Sequence, residues 1–192
     1  DDAVGEAFDK AAKFLDLGYP GGPALEKISE EGSKDRFNFP RPLLKSQDCD
    51  FSFSGLKTSL IREVKEIEPL TQSDVADLAS SYQEAIIDCL RAKSARAISM
   101  AKEKYGDLDI NYFVASGGVA SNKSIGKSLN ELALENNMEF VAPPIKFCTD
   151  NAAMIAWAGG LRLLSGQEDS LEISVKSRWP LNEMKISGGV YE

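Results

Sequence analysis

The sequence predicts an α/β protein, mostly helical in its first half and β-α-β-α in its second. Three observations carry this. Apolar residues recur at three-and-four spacing through "TQSDVADLASSYQEAIIDCLRAKSARAISMAKEKYG", the period of an amphipathic helix. The short apolar run "INYFVAS" leads into a Gly-Gly turn and a further helical pattern. A second short run, "EFVAPP", is again followed by a helical pattern. The expected division is residues 1–106, mostly helical with inserted loops, and residues 107–192, the β-α-β-α part.

In order, residues 3–17 read as a helix. Ala7, Phe8, Ala11, Ala12, Phe14 and Leu15 form its apolar face, and Gly18 is its expected stop. "YPGGP" is a tight turn. Pro23 then opens a short helix that Gly32 closes. Residues 33–55 look irregular, and their alternating "DFSFSG" suggests an edge segment with Phe51 and Phe53 inward and the serines outward. "LKTSLIREVKEI" is a helix ending near Pro69. The long helix has Ser73 as its expected N-cap and Gly106 as its stop; Val75, Leu78, Ala79, Tyr82, Ile86, Cys89, Leu90, Ala97, Ile98 and Ala101 are its candidate core. After the first strand and its glycines comes a helix through "KSIGKSLNELALENN", then the second strand, then a helix up to Leu164 with a Gly166 stop. "ISVKSRWPLNEM" reads as an extended tail with a Trp-Pro turn.

Composition narrows the function classes. The chain has 192 residues, 43% of them hydrophobic, which is enough for a sizeable core. No run is long and apolar enough to span a membrane. The opening lacks a basic-then-apolar segment, so no secretory signal is expected. It also lacks Met, so the chain is expected to be a piece of a longer protein. The formal net charge of −8 argues against a broad basic surface that holds nucleic acid unaided. Cys49, Cys89 and Cys148 are far apart and odd in number, so free thiols in a reducing cytoplasm are expected. The chain has no His. By itself it therefore cannot build a Ser–His–Asp or Cys–His centre, or any His-dependent metal motif.

Several short stretches could carry chemistry. In "FVASGGVASN", Gly117 and Gly118 would let a ligand approach the backbone, and the N–H groups that follow could face an anion. The stretch lacks both dinucleotide and P-loop patterns, and a plain strand–helix connection is the more frequent meaning of such a turn. Asn122 could cap the next helix or touch a ligand, with capping favoured locally. Asp9 and Lys10 could lie on a solvated face or reach into a cleft. In "FCTDNAAMIAW", Asp150 is a natural N-cap for the helix that follows, unless it holds something else.

"DDAVGEAFDKAAKFLDLGYPGGP", "FNFPRP", "DFSFSGLKT", "ASGGVASN", "FCTDNAAMIAWAG" and "SRWPL" occur in that order. This set resembles the tRNA N6-adenosine threonylcarbamoyltransferase family, formerly described as O-sialoglycoprotein endopeptidase or glycoprotease. The likeness runs over essentially the whole chain but covers only the later part of a family member. It implies the actin-like ATPase (ASKHA) fold of two ribonuclease-H-like lobes. This chain would be most of the second lobe with its helical insertion, the upstream lobe being absent and residues 107–192 forming the nucleotide-binding part.

The resemblance implies a reaction: transfer of the threonylcarbamoyl group from threonylcarbamoyl-AMP to the N6 amine of adenosine 37 in tRNA. Matched position by position, it makes Asp9, Gly22 and Asn122 adenylate contacts and Glu26 a ribose contact, with Gly117 and Gly118 making room for the base. It makes Asp150 the protein ligand to one divalent metal, iron by the family's habit or zinc, whose two His ligands lie outside this chain. It implies a cytoplasmic protein that works on tRNA with an inactive paralogue and a small ATPase. A sugar- or acetate-kinase-like ATPase of the same fold, or an inactive partner-binding paralogue, are the alternatives. The old protease label finds no HExxH and no triad.

Overall fold

The structure is a computed structural model that describes residues 3–106, 109–148, 151–168, 170 and 172. It divides into two units, Asp1–Thr149 and Asp150–Glu192. The first contains α1 (Val4–Phe14), α2 (Gly21–Ser29), α3 (Ser54–Ile67), α4 (Gln72–Lys104), β1 (Tyr112–Val114), α5 (Lys123–Glu135) and β2 (Glu139–Val141). The second contains α6 (Ala152–Leu164). The expected mixed α/β order is present, helix-rich with a small sheet. The tail "ISVKSRWPLNEM" lies outside the described residues.

α4 is the spine of the first unit. Its middle is buried almost all round: Leu78, Ala79, Tyr82, Ala85 and Ile86 are fully covered, and the polar Ser80, Ser81 and Gln83 are buried with them. α1, α2, α3 and α5 all pack around one apolar core with α4. A side chain on this spine therefore meets several neighbouring helices at once. Its N-cap is Thr71 rather than the expected Ser73. Thr71 and Asp74 form a reciprocal capping box, which Ser73 cannot form because Asp74 is its immediate neighbour. Ala97, expected in the core, is exposed near the helix end.

The sheet has two parallel strands, with Tyr112 opposite Glu139, Phe113 opposite Phe140 and Val114 opposite Val141. α5 forms the crossover between them, as parallel pairing requires. Phe113 and Phe140 face the core, with ring centroids 5.9 Å apart. Tyr112, Val114 and Val141 on the other face are exposed.

Several boundaries differ from the sequence expectation, each for a local reason. α1 stops at Phe14 and not at residue 17. Asp16 takes the left-handed conformation (φ 55°), and the Leu17 N–H reaches back to the Ala12 carbonyl at 2.9 Å, a Schellman-type ending. α2 begins at Gly21, two residues before Pro23, because the Asp9 carboxylate accepts the Gly21 N–H at 3.0 Å. α2 ends at Ser29 and is not closed by Gly32. Gly32 instead lets the chain pass against α4, where a Cβ would collide with the Ala76 carbonyl and lie 2.7 Å from the Asp77 nitrogen.

The Phe-Ser alternation is half fulfilled: Phe53 is buried, while Phe51 is exposed and stacks on the Phe53 ring. No strand forms there, because α3 begins at Ser54. The N-cap of α6 is Asn151. Asn151 has extended backbone, and its Oδ1 accepts the Met154 N–H at 3.0 Å, three residues on. Asp150 itself lies outside the described residues.

Two surface carboxylates are strongly perturbed. Asp48 is held at about 2 by hydrogen bonds from the Lys93 ammonium and the Ser46 hydroxyl. Lys93 is only 2% exposed and also donates to the Asp48 carbonyl at 2.9 Å, so it anchors this loop to α4. Asp74 is held at about 2 by Thr71 first and Arg36 next. A carboxyl whose folded pKa is depressed adds stability above its unfolded value and loses it as pH falls through the folded one. The midpoint of urea unfolding is therefore expected to hold from neutral pH to about 4 and to fall between about 4 and about 2. A midpoint that stays level through that window would contradict this.

Candidate functional site

Four segments of the first unit meet at one cleft. The first half of α1, the turn opening α2, α2 itself and the segment entering α5 supply its walls. Asp9, Gly22, Glu26, Gly118 and Asn122 all line it. These five are predicted site residues, drawn together from positions 9 to 122. Phe8, Pro20 and Val119 add apolar surface. The volume is about 390 Å³, within the range of small-molecule pockets, roughly 300–1,000 Å³. A larger and more open hollow between residues 38–41 and α3 contains none of the predicted residues.

Each polar group of the cleft has a structural duty. Asp9 accepts the Gly21 N–H, so it caps α2 from outside the helix, at the end where a carboxylate is electrostatically favoured. This contact needs glycine at 21, since a Cβ there would lie 2.6 Å from the Asp9 Cα. Gly22 faces open space. Glu26 Oε1 accepts the Lys123 N–H at 2.6 Å and so caps the first turn of α5. Asn122 Oδ1 accepts the Ile125 N–H at 2.9 Å, the N-cap bond of the same helix. Local reasoning therefore identified Asn122 correctly as a cap, and the cleft lining gives it a second face. Gly117 is not part of the lining. It supplies the positive φ (94°) that turns the chain into the 3₁₀ turn Gly118–Ser121.

Two buried polar residues were not anticipated. The Asn122 side-chain amide donates to Gln83 Oε1 at 2.8 Å, and Gln83 Nε2 donates to Ser29 Oγ at 2.9 Å. The signal was present: Gln83 sits four residues after Ala79 and three before Ile86, on the apolar stripe of α4. A polar residue there must find partners or destabilise the core.

Among the described residues, no three of His, Cys, Asp and Glu come together as a metal-binding group. Cys89 is buried, and burial pushes its thiol up to about 11, which leaves it unreactive at neutral pH. The predicted ligand Asp150 lies outside the described residues.

The TsaD family model, tRNA N6-adenosine threonylcarbamoyltransferase, matches residues 1–157. The chain belongs to this family. Among relatives of the threonylcarbamoyltransferase family, the protein of that name from Sinorhizobium medicae (strain WSM419) is 48% identical over 183 residues, covering 95% of this chain and 51% of the relative. The protein of the same name from Brucella ovis has the same identity and coverage, and that from Rhizobium meliloti (strain 1021) is 46% identical over the same shares. The chain spans about half the length of the curated relatives it matches. No described helix is long and apolar enough to cross a membrane.

Proposed function

We propose that this chain carries the adenylate-binding part of a tRNA N6-adenosine threonylcarbamoyltransferase. It would act on threonylcarbamoyl-AMP and the N6 amine of adenosine 37 in tRNA. The observation that supports this is the single cleft lined by Asp9, Gly22, Glu26, Gly118 and Asn122. In this reading the chain is the second lobe of an actin-like fold with a helical insertion. Residues 1–106 are the helical part and 107–192 the nucleotide-binding part.

The cleft chemistry suits an adenine nucleotide. The Glu26 carboxylate can accept from ribose hydroxyls through the oxygen that does not cap α5. Asn122 offers an amide donor beside an acceptor, the pair that adenine N7 and N6–H₂ match. Guanine presents two acceptors at the same edge and would set O6 against the Asn122 carbonyl oxygen. At Gly22 and Gly118 a Cβ would meet nothing within 4 Å, and these open positions let the nucleotide sit against backbone. Binding one reactant in a fixed pose removes much of the entropic part of the barrier. The N6 amine then attacks the carbamoyl carbon, the C–O bond to the AMP phosphate breaks, and the amine gives up a proton.

Enzymes of the family depend on a metal. In this chain Asp150 would provide one carboxylate to a divalent ion, iron or zinc, with the two imidazoles coming from outside these residues. Such an ion supplies Lewis-acid polarisation and orientation. The acidic net charge of −8 fits a protein that holds tRNA together with partners, an inactive paralogue and a small ATPase. In this reading the protein is cytoplasmic, where it would meet its tRNA.

The test is reconstitution of the complete natural chain with threonylcarbamoyl-AMP, tRNA and candidate partner subunits. Threonylcarbamoyl-adenosine at position 37, read by mass spectrometry of digested tRNA, is the expected product. Unmodified tRNA, with phosphorylation of a small hydroxyl or carboxylate substrate from ATP, would replace this function with the kinase one.

A further inference from the structure

We propose that Gln83 is a positioning residue for the cleft: from inside α4 it fixes the orientation of Asn122 and ties the α2 wall to the α5 wall. The proposal rests on the reading of the cleft as a nucleotide site. Gln83 is 6% exposed and does not line the cleft, so it acts through the residues it holds.

The sense of the network follows from one bond. Asn122 Oδ1 must accept, because it caps the Ile125 N–H at 2.9 Å. The Asn122 nitrogen must then donate to Gln83, at 2.8 Å. Gln83 accepts with Oε1 and so has only its nitrogen to offer Ser29 Oγ, at 2.9 Å. Ser29 passes its own proton to the Glu26 carbonyl at 2.7 Å. Every donor points the same way, from the α5 cap to α2, and no amide in the chain can be reversed without breaking a bond. Asn122, Gln83 and Ser29 are each less than a tenth exposed, so water does not replace a lost partner.

The consequence is geometric. Asn122 and Glu26 are the two polar groups offered to base and ribose, and the network joins Asn122 to the backbone of Glu26. The neighbouring Tyr82 hydroxyl donates to the Ala7 carbonyl at 3.1 Å, which ties α1 to the same turn of α4. One turn of the spine thus holds all three helical walls in register.

The test compares wild type, Gln83→Leu, Gln83→Glu, Asn122→Ala and the Gln83→Leu/Asn122→Ala double variant of the complete natural chain, each measured below its melting temperature. By calorimetry, Gln83→Leu is expected to weaken AMP about tenfold, the scale of one oriented hydrogen bond. The double variant should bind no more weakly than Asn122→Ala alone, because Gln83 acts through Asn122. Gln83→Glu keeps an acceptor for the Asn122 amide but has no N–H for Ser29 Oγ, so it should lose less affinity than Gln83→Leu without matching wild type. A purely structural Gln83 would show additive losses in the double variant, and that overturns the proposal. So does wild-type affinity in a folded Gln83→Leu.

A second readout needs no nucleotide. The Asn122 side-chain amide protons should exchange slowly in the NMR spectrum of wild type and Gln83→Glu. In Gln83→Leu they should exchange fast. Slow exchange in Gln83→Leu overturns the positioning role. Absence of AMP binding in wild type, with the exchange pattern as expected, overturns the nucleotide reading and leaves Gln83 as the residue that orients Asn122.

Discussion

Asn122→Ala is expected to lower nucleotide affinity at least tenfold and to lower the melting temperature as well. From sequence alone a silent effect on stability was conceivable, with capping a minor role. The structure removes that option. Loss of an N-cap side chain costs about 1 kcal/mol. Truncation also leaves the Gln83 carbonyl oxygen buried without its donor, which costs a further ~1–3 kcal/mol. For a domain of this size each kcal/mol shifts melting by roughly 2–4 °C. A loss of ~2–4 kcal/mol therefore lowers melting by roughly 4–16 °C. Thermal denaturation and AMP calorimetry on the same sample check both halves. Asn122→Asp keeps the cap, and Gln83 can turn its amide to donate only if Ser29 gives up its bond to the Glu26 carbonyl, so its melting temperature should fall less than that of Asn122→Ala. Unchanged melting in Asn122→Ala would contradict the network.

Asp150→Asn is expected to abolish threonylcarbamoyl transfer while leaving α6 intact. The cap of α6 is Asn151, bonded to the Met154 N–H, so that bond does not depend on residue 150. Asn keeps the shape of Asp but lacks the negative charge a divalent cation needs. Metal per protein, by elemental analysis of the complete natural chain, should fall in Asp150→Asn with folding nearly intact. Equal metal content and unchanged activity would remove Asp150 from the metal site.

The elements were legible where periodicity was strong. α4 and α5 could be read from their apolar spacing, and the two strands from short apolar runs separated by a helix. Their ends were less legible, because caps depend on partners outside the local window. Asp9 starts α2 two residues early from another helix, and Asp16 ends α1 where glycine at 18 was the obvious stop. The cleft was legible only in pieces: Asp9, Gly118 and Asn122 could be singled out locally as possible contacts, Gly22 and Glu26 came only from resemblance to a family, and no spacing rule links the five. Gln83 was legible in principle, as a polar residue on an apolar stripe. Its partners Asn122 and Ser29 were not, because they lie 39 and 54 residues away in sequence. Gly32 looked like a helix stop, since sequence does not distinguish a glycine that turns the chain from one that makes room for a neighbour.

The cleft between α1, α2 and the start of α5 is expected to bind an adenine nucleotide. Calorimetry of AMP and GTP against the complete natural chain tests it most directly. Saturable one-to-one binding of AMP is expected, weaker by tenfold or more for GTP and weakened at least tenfold by Asn122→Ala. Equal affinity for the two nucleotides, or AMP binding that survives Asn122→Ala unchanged, would contradict it.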